Sequence, residues 1–290
     1  MRKMITVYKK DLHIYFSTLS GYIFIAAVLL AGGVYVYMNN FYYGYASFGE
    51  SINYVPFFFI FLAPVLAAGV FTDERRQKTD QLLYTLPLTS TQVVLGKYLA
   101  LITVLAVPLA VLGLYPIVMS FYGKVNFAQA YTNLLAVFLL GMALFAICMF
   151  ISSLTDNIVV SAVLCLAVTF LLYQMNGFAR AFSPSAARSY LGLVLLAVLY
   201  GVFVWYLTKN IYIAAIPSAA IIVVLTLARR FSQTLLAGKI NLMMNGIALF
   251  KPLENFKAGI VDIYTLIYYV SVTVLFVLFT MFTFERRRWN

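Results

Sequence analysis

The sequence predicts an all-α integral membrane protein with about eight transmembrane helices. Of its 290 residues, 64% are hydrophobic and only 10% are charged, whereas about a quarter of the residues of a soluble domain are charged. Apolar stretches of about 20 residues, the length that a helix needs to cross ~30 Å of hydrocarbon, recur along the chain. Most of the 20 lysines and arginines flank these stretches. The net charge of +11 therefore indicates contact with anionic lipid headgroups and not with nucleic acid.

Hydropathy places the eight spans at about residues 21–38, 54–72, 98–121, 132–154, 158–175, 190–207, 211–228 and 263–284. Both ends of the chain and the loop at 73–97 are basic, and basic segments tend to stay in the cytoplasm. An even number of spans with both termini cytoplasmic is therefore expected. Pro64 predicts a kink in the second span. The first span has no convincing cleavage site after it and is expected to be retained as an anchor.

Residues 1–20 precede the first span and predict an amphipathic helix on the cytoplasmic face. One side is apolar (Ile5, Tyr8, Leu12, Tyr15, Phe16, Leu19) and the other is polar (Lys3, Lys9, Lys10, His13, Ser17). His13 is the only histidine, and its place on the polar side indicates a solvated side chain without a chemical role.

Residues 73–97, called the coupling segment below, form a long charged interval between spans 2 and 3. Thr89 and Gln92 have the spacing of a capping box, which predicts that a new helix begins there. Pro87 predicts a break before it, so the segment is expected to be helix, break, helix. Two interpretations stay open from the residues alone: a docking surface for a soluble partner, and an ordinary basic loop that obeys the positive-inside rule.

Residues 229–262 combine apolar residues at helical spacing with polar residues, which predicts amphipathic helices broken at Gly238 and Gly246. Such helices would strand polar groups in hydrocarbon if they crossed the bilayer, so the segment is placed outside. It is either a surface helix or an outer gate that must move when substrate leaves. The candidate gate residues are Leu235, Leu236, Met243, Ile247, Phe250, Gly259 and Asp262.

All nine acids and all twenty bases fall outside the predicted span cores. Transporters coupled to protons or ions usually place ionisable residues at membrane depth, so this pattern argues against that class. A phosphate-binding glycine loop, a Cys/His cluster and a nucleophile elbow are missing from the sequence. Cys148 and Cys165 lie in predicted spans and are expected to be packing residues. No catalysis, metal or cofactor is therefore expected in this chain.

Three segments resemble the permeases of ABC-2 exporters and, within them, the gliding-motility-associated permease family. The stretch 9–22 is similar to the interfacial elbow helix of that family. Residues 74–97 resemble its cytoplasmic signature, approximately E-R-R-x-G-T-x-E-L-L-x-T-L-P followed by V-L-G-K, and residues 259–289 resemble its last outer turn and final helix. Lys78 replaces the usual glycine, and Gln81 replaces the usual glutamate.

The resemblance implies a half-transporter of the bacterial cytoplasmic membrane, with a six-helix core and an extra pair, spans 6 and 7. Two permeases, identical or homologous, would assemble with two cytoplasmic ATP-binding cassette subunits that hold ATP and magnesium. A second membrane protein with a large outer domain often works beside the family. The residues implied in coupling to the ATPase are Glu74, Arg75, Arg76, Thr79, Leu82, Leu83, Leu86 and Pro87.

Two other functions remain open from the sequence. One is a membrane scaffold that anchors an outer complex without transporting anything. The other, which the distribution of charges disfavours, is a secondary transporter. No feature of the sequence identifies a substrate.

Overall fold

The computed structural model of the chain describes residues 2–45, 47–79, 88–181, 189–195, 197–198, 200–201, 211–231, 238–256 and 259–289. These residues are predominantly helical and include no strand. Contacts divide the chain into two compact units, one formed by Met1–Leu171 with Pro252–Asn290 and the other by Leu172–Lys251. The first unit contains the N-terminal helix, the described parts of the coupling segment and the C-terminal helix.

In chain order the helices are α1 (Arg2–Ser17), α2 (Leu19–Val36), α3 (Phe48–Ile52), α4 (Val55–Ala67), α5 (Gly69–Arg76), α6 (Ser90–Leu112), α7 (Tyr115–Ser120), α8 (Phe127–Leu154), α9 (Ile158–Ala181), α10 (Ile211–Phe231), α11 (Lys239–Ile247), α12 (Leu253–Phe256) and α13 (Ile263–Trp289). A π-helical turn, Tyr37–Tyr42, extends α2. Residues 189–195 are also helical.

Helix α8 is the centre of the first unit and packs against α3, α4, α5, α6, α12 and α13. Gly141 allows this close packing, because a Cβ atom there would lie 2.7 Å from Leu105 and 3.2 Å from Phe59. Cys148 on α8 and Cys165 on α9 are both buried and free, as the sequence predicts.

Six helices in the described residues are long and apolar enough to cross a bilayer: Leu19–Tyr42, Phe48–Arg76, Ser90–Ser120, Phe127–Leu154, Ile158–Arg180 and Ile263–Arg288. They match predicted spans 1 to 5 and 8, and several continue beyond the apolar stretch on which the prediction rests. Predicted span 6 at 190–207 lies partly outside the described residues. Predicted span 7 coincides with α10, whose apolar part, Pro217–Thr226, is shorter. The count of eight spans stays a prediction.

Pro64 lies inside α4 and has no N–H group, so it leaves the carbonyl of Ile60 without its usual partner in the helix. The hydroxyl of Thr169 on α9 donates to that carbonyl at 3.0 Å. The helix continues through Pro64 and is interrupted at Ala68, one turn beyond the predicted kink.

At this interruption, hydroxyl groups replace the regular helical partners. The Ala68 carbonyl accepts hydrogen bonds from Thr72, Ser152 and Ser161 at 2.8, 2.8 and 3.1 Å. The Ser152 hydroxyl also accepts from the backbone N–H of Phe71. These bonds satisfy buried backbone groups, which must find a partner within the protein where water is excluded. They fix the point from which α5 starts.

In the second unit, α11 places Asn241 inward, where its amide donates to the Ala179 carbonyl at 2.7 Å. Phe250 is buried and packs edge-on against the ring of Tyr173, with 5.2 Å between the ring centres. Leu242, Met243 and Ile247 on α11 are exposed. An amphipathic helix that begins after the predicted break at Gly238 is therefore present, whereas Gly246, the other predicted break, lies inside α11.

Candidate functional site

Charged side chains converge at one end of the first unit, called the charged end below, where α1, α5, the start of α6, the turn between α8 and α9, and the end of α13 meet. Lys97 on α6 lies at its centre with a side chain that is 3% exposed. Its Nζ lies 2.9 Å from Glu74 Oε1 on α5 and 3.2 Å from Asp11 Oδ2 on α1. It also donates to the carbonyl of Val70. One buried cation thus holds three helices together.

Helix α1 presents Asp11 and Val7 to the rest of the unit, and both are buried. Burial raises the pKa of the Asp11 carboxyl and neighbouring Glu74 adds to the rise, while Lys97 opposes it. Lys10, one residue earlier, forms an exposed ion pair with Glu74 at 2.7 Å.

The orientation of α1 corrects part of the sequence expectation. The predicted polar side, with Lys9, Lys10 and His13, is exposed as expected. Ile5 and Leu19, assigned to the apolar side, are exposed as well. Val7 and Asp11, which the sequence analysis gave no place on the helix, form the buried side because Lys97 attracts the carboxylate.

Arg75 on α5 closes the C-terminal end of α8. Its guanidinium donates to the carbonyls of Ser152, Ser153 and Thr155 and lies 3.3 Å from a carboxylate oxygen of Asp156. The last carbonyls of a helix have no partner within the helix and carry the negative end of its dipole, so a cation is favourable there. Arg75 is only 8% exposed. Arg75 therefore holds the start of the coupling segment against the C-terminal end of α8.

Arg287 near the end of α13 completes the closure of α8. It donates to the Leu154 carbonyl and to Asp156 Oδ1, both at 2.6 Å. The hydrogen bond from Arg287, more than any other contact, lowers the pKa of the Asp156 carboxyl. Arg288 donates to the carbonyl of Leu88 at 2.9 Å. The C-terminal helix therefore contacts the coupling segment and the turn between α8 and α9.

The coupling segment begins in the last turn of α5 and ends in the first turns of α6. Thr89 and Gln92 form the predicted capping box at the start of α6. Lys97, placed by the sequence analysis at the end of a loop, lies inside this continuous helix. The helix Ser90–Ser120 therefore begins before the apolar stretch at 98–121 that predicted span 3.

The predicted coupling residues have different environments. Glu74 and Arg75 form ion pairs within the chain at the charged end. Arg76 is exposed and makes no ion pair within the described residues. Thr79 donates from its backbone and its hydroxyl to the Glu74 carbonyl. Leu82, Leu83, Leu86 and Pro87 lie outside the described residues.

Lys78, where the resembling family has glycine, has a backbone φ of +57°. This left-handed conformation is the one that glycine adopts at the end of a helix. The sequence motif thus contained a signal for the end of α5, even though this chain has lysine there.

The candidate gate residues are divided between the two units of the structure, with Gly259 and Asp262 in the first unit. Leu235 and Leu236 lie outside the described residues, and Met243, Ile247 and Phe250 belong to the second unit. Gly259 has a φ of +78°, and a Cβ atom there would lie 3.1 Å from the backbone of Gln129. Asp262 accepts hydrogen bonds from Asn255, Tyr264 and Thr265 at the start of α13, and the bond from Thr265 is the main cause of its lowered pKa. Both Gly259 and Asp262 thus shape the turn before the last helix.

The family model of ABC-2 family transporter proteins matches residues 26–289, nearly the whole chain. The chain belongs to this ABC-2 transporter family. The six membrane-length helices among the described residues fit the membrane component of such a transporter, which is not itself catalytic. No curated protein shows a significant match to the sequence.

Within this ABC-2 protein, the charged end joins the start of the coupling segment to three other parts of the chain: α1, the turn at 155–157 and the C-terminal helix. Groups of three or more metal-ligating side chains are not found among the described residues. The chemistry of the site consists of ion pairs and helix-end hydrogen bonds. Such contacts can hold or transmit a mechanical change between helices.

Proposed function

We propose that this chain is the permease subunit of an ATP-driven ABC-2 exporter and that the coupling segment docks on a separate cytoplasmic ATP-binding cassette subunit. The family match over residues 26–289 carries the proposal. In the working complex two such permeases, identical or homologous, assemble with two ATPase subunits. The three segments that resemble gliding-motility-associated permeases favour that subfamily, in which a second membrane protein with a large outer domain is a further partner.

The charged end supports a cytoplasmic position for the coupling segment. Lys9, Lys10, Arg76, Lys78 and Arg286 are exposed there, and exposed bases favour the cytoplasmic side of a membrane. The same assignment gives both termini a cytoplasmic location in a bacterial membrane. A cysteine placed at Lys78 should resist an impermeant reagent in intact cells. A cysteine placed at exposed Lys124, which follows the candidate span Ser90–Ser120, should react with the same reagent. Labelling at Lys78 would overturn this orientation.

Within the docking surface, Leu82 and Leu83 are proposed to fill a groove of the ATPase, and Arg76 is proposed to pair with an acid at its rim. Burial of one leucine contributes about 1.5–3 kcal/mol, whereas an exposed ion pair contributes at most about 1 kcal/mol. Leu82→Asp combined with Leu83→Asp should therefore release a co-expressed ATPase subunit, and Arg76→Ala should weaken binding only slightly.

A matched control for that experiment is Phe121→Asp combined with Tyr122→Asp. These two side chains are each 82% exposed and follow α7, away from the charged end. The control adds the same two charges and should leave both ATPase binding and substrate-stimulated ATP hydrolysis intact. Retention of the ATPase by the Leu82 and Leu83 double variant, with full stimulation, would show that the docking assignment is wrong.

An outer-gate role for the segment at 229–262 also belongs to this proposal. It is supported by α11, which exposes Leu242, Met243 and Ile247 while its Asn241 is engaged with α9. Spin labels attached at Met243 in two permease copies should change their separation when ATP is added to the complex. A separation that stays constant during export would leave α11 as a surface helix.

A further inference from the structure

The C-terminal helix reaches two points of the coupling segment, Arg75 and Leu88, through two consecutive arginines. Arg287 shares Asp156 with Arg75, near the start of the segment: the two Nη1 atoms lie 2.6 and 3.3 Å from the same carboxylate oxygen. Arg288 donates to the carbonyl of Leu88, inside the segment and next to the capping residue Thr89.

We infer that Arg287 and Arg288 are positioning residues that fasten the coupling segment at Arg75 and at Leu88. The fastening follows from the described contacts, and only its role in coupling rests on the proposed function. The two contacts join residues that are 131 and 200 positions apart in the chain. A segment held at these two points can transmit a displacement to α5 and α6. If one of the points were free, the segment could move there without moving the helix.

The two arginines differ in what can replace them. Arg288 is exposed and, within the described residues, donates one hydrogen bond, to the Leu88 carbonyl. The ammonium group of a lysine can also donate such a bond. Arg287 uses two different nitrogens for Asp156 and Leu154, a forked arrangement that a lysine does not reproduce. Arg288→Lys should therefore keep most of the contact that Arg288→Ala removes. Arg287→Lys should keep a smaller part of the contact that Arg287→Ala removes.

Arg286 supplies the matched control. It lies in the same helical turn, is exposed, and makes no hydrogen bond or ion pair within the described residues. Arg286→Ala removes the same charge from the same tail. Any general effect of lost positive charge at the lipid surface will therefore appear in this variant as well.

The first measurement is hydrogen–deuterium exchange on the purified full-length chain in lipid nanodiscs. The backbone N–H groups of Gln92 and Val93 are bonded to Thr89 in the first turn of α6. In Arg288→Ala they should exchange roughly threefold to tenfold faster, because loss of the tail contact frees the residues just before that turn. Arg286→Ala should exchange like the unaltered chain. Equal exchange in Arg286→Ala and Arg288→Ala would overturn the inference.

The second measurement uses the complex with the ATPase subunit. Arg287→Ala and Arg288→Ala should lower the stimulation of ATP hydrolysis by the permease, measured against the ATPase subunit alone, while the KM for ATP stays unchanged. Arg288→Lys should recover this stimulation. Faster exchange in Arg288→Ala with full stimulation would support the fastening and overturn the coupling role of the segment. The two proposals can thus fail separately.

Discussion

Lys97 Nζ lies 2.9 Å from Glu74 Oε1, and the two side chains are only 3% and 12% exposed. The pair joins a residue just after predicted span 2 to the residue just before predicted span 3. Because Asp11 also contacts Lys97, the cation is balanced by two carboxylates from two different helices. Removal of a single member of a buried ion pair leaves an uncompensated charge, which is strongly unfavourable.

Lys97→Met should therefore lower the free energy of unfolding by about 3–5 kcal/mol. Lys10→Met removes the other lysine of the cluster, whose side chain is 48% exposed, and should cost at most about 1 kcal/mol. The apparent unfolding temperatures of the two variants in the same detergent measure the difference. Similar losses in both variants would mean that the Lys97 cluster is solvated.

Arg75→Ala should destabilise the chain by at least about 2 kcal/mol, because carbonyls at the end of α8 lose their charged donor. Arg76→Ala, on the neighbouring exposed residue, should have little effect on unfolding. Arg75→Lys should recover only part of the loss, since one ammonium group cannot serve several divergent carbonyls. An unfolding temperature of Arg75→Ala that equals that of Arg76→Ala would contradict the placement of Arg75.

The contrast between these two arginines shows what the sequence could and could not predict. Hydropathy predicted six helices that the structure contains, and local spacing predicted the capping box of Thr89 and Gln92. Both predictions depend only on residues that are close together in the sequence. Nothing local distinguishes Arg75 from Arg76, because the carbonyls that Arg75 contacts are 77 to 80 residues away.

The buried side of α1 could not be predicted for the same reason. A count of apolar residues favoured a face with Ile5 and Leu19, but both are exposed. The decisive partner of Asp11 is Lys97 on another helix, and a charge that is paired can be buried. Conversely, the family motif has glycine at position 78, and the structure has a left-handed residue there; this signal was present in the sequence but was not used in the prediction.

Stability should depend on pH through Asp156, whose pKa is held below its ordinary value of 3.8 by Arg287. A carboxyl with a lowered folded-state pKa stabilises the fold above its unfolded pKa, and this contribution disappears as the pH falls through the folded-state value. The difference in unfolding temperature between the unaltered chain and Asp156→Asn should therefore shrink below pH 3.8. Asp11 has a shift of opposite sign but is present in both proteins, so its effect cancels. A difference that is constant from neutral to acid pH would exclude this role of Asp156.

Lys78→Gly should stabilise the chain. A side chain other than glycine in the left-handed region costs about 1–2 kcal/mol, and Lys78 has a φ of +57°. The backbone N–H groups of Gln77, Lys78 and Thr79 donate to carbonyls of residues 73–75 to close α5, so this conformation is fixed by three hydrogen bonds. The Lys78 side chain is exposed. Glycine also loses more conformational entropy on folding, which leaves an expected net gain of up to about 1 kcal/mol.

Lys124→Gly is the control, because Lys124 is also an exposed lysine between two helices and its φ is not positive. At position 124 glycine relieves no backbone strain and only increases the conformational entropy that is lost on folding. Lys124→Gly should therefore lower the free energy of unfolding by a few tenths of a kcal/mol to about 1 kcal/mol. Denaturant or thermal unfolding of the two variants in identical detergent should thus move in opposite directions from the unaltered chain. A loss of stability in both would show that residue 78 does not adopt the left-handed conformation in solution, and α5 would then end by different contacts.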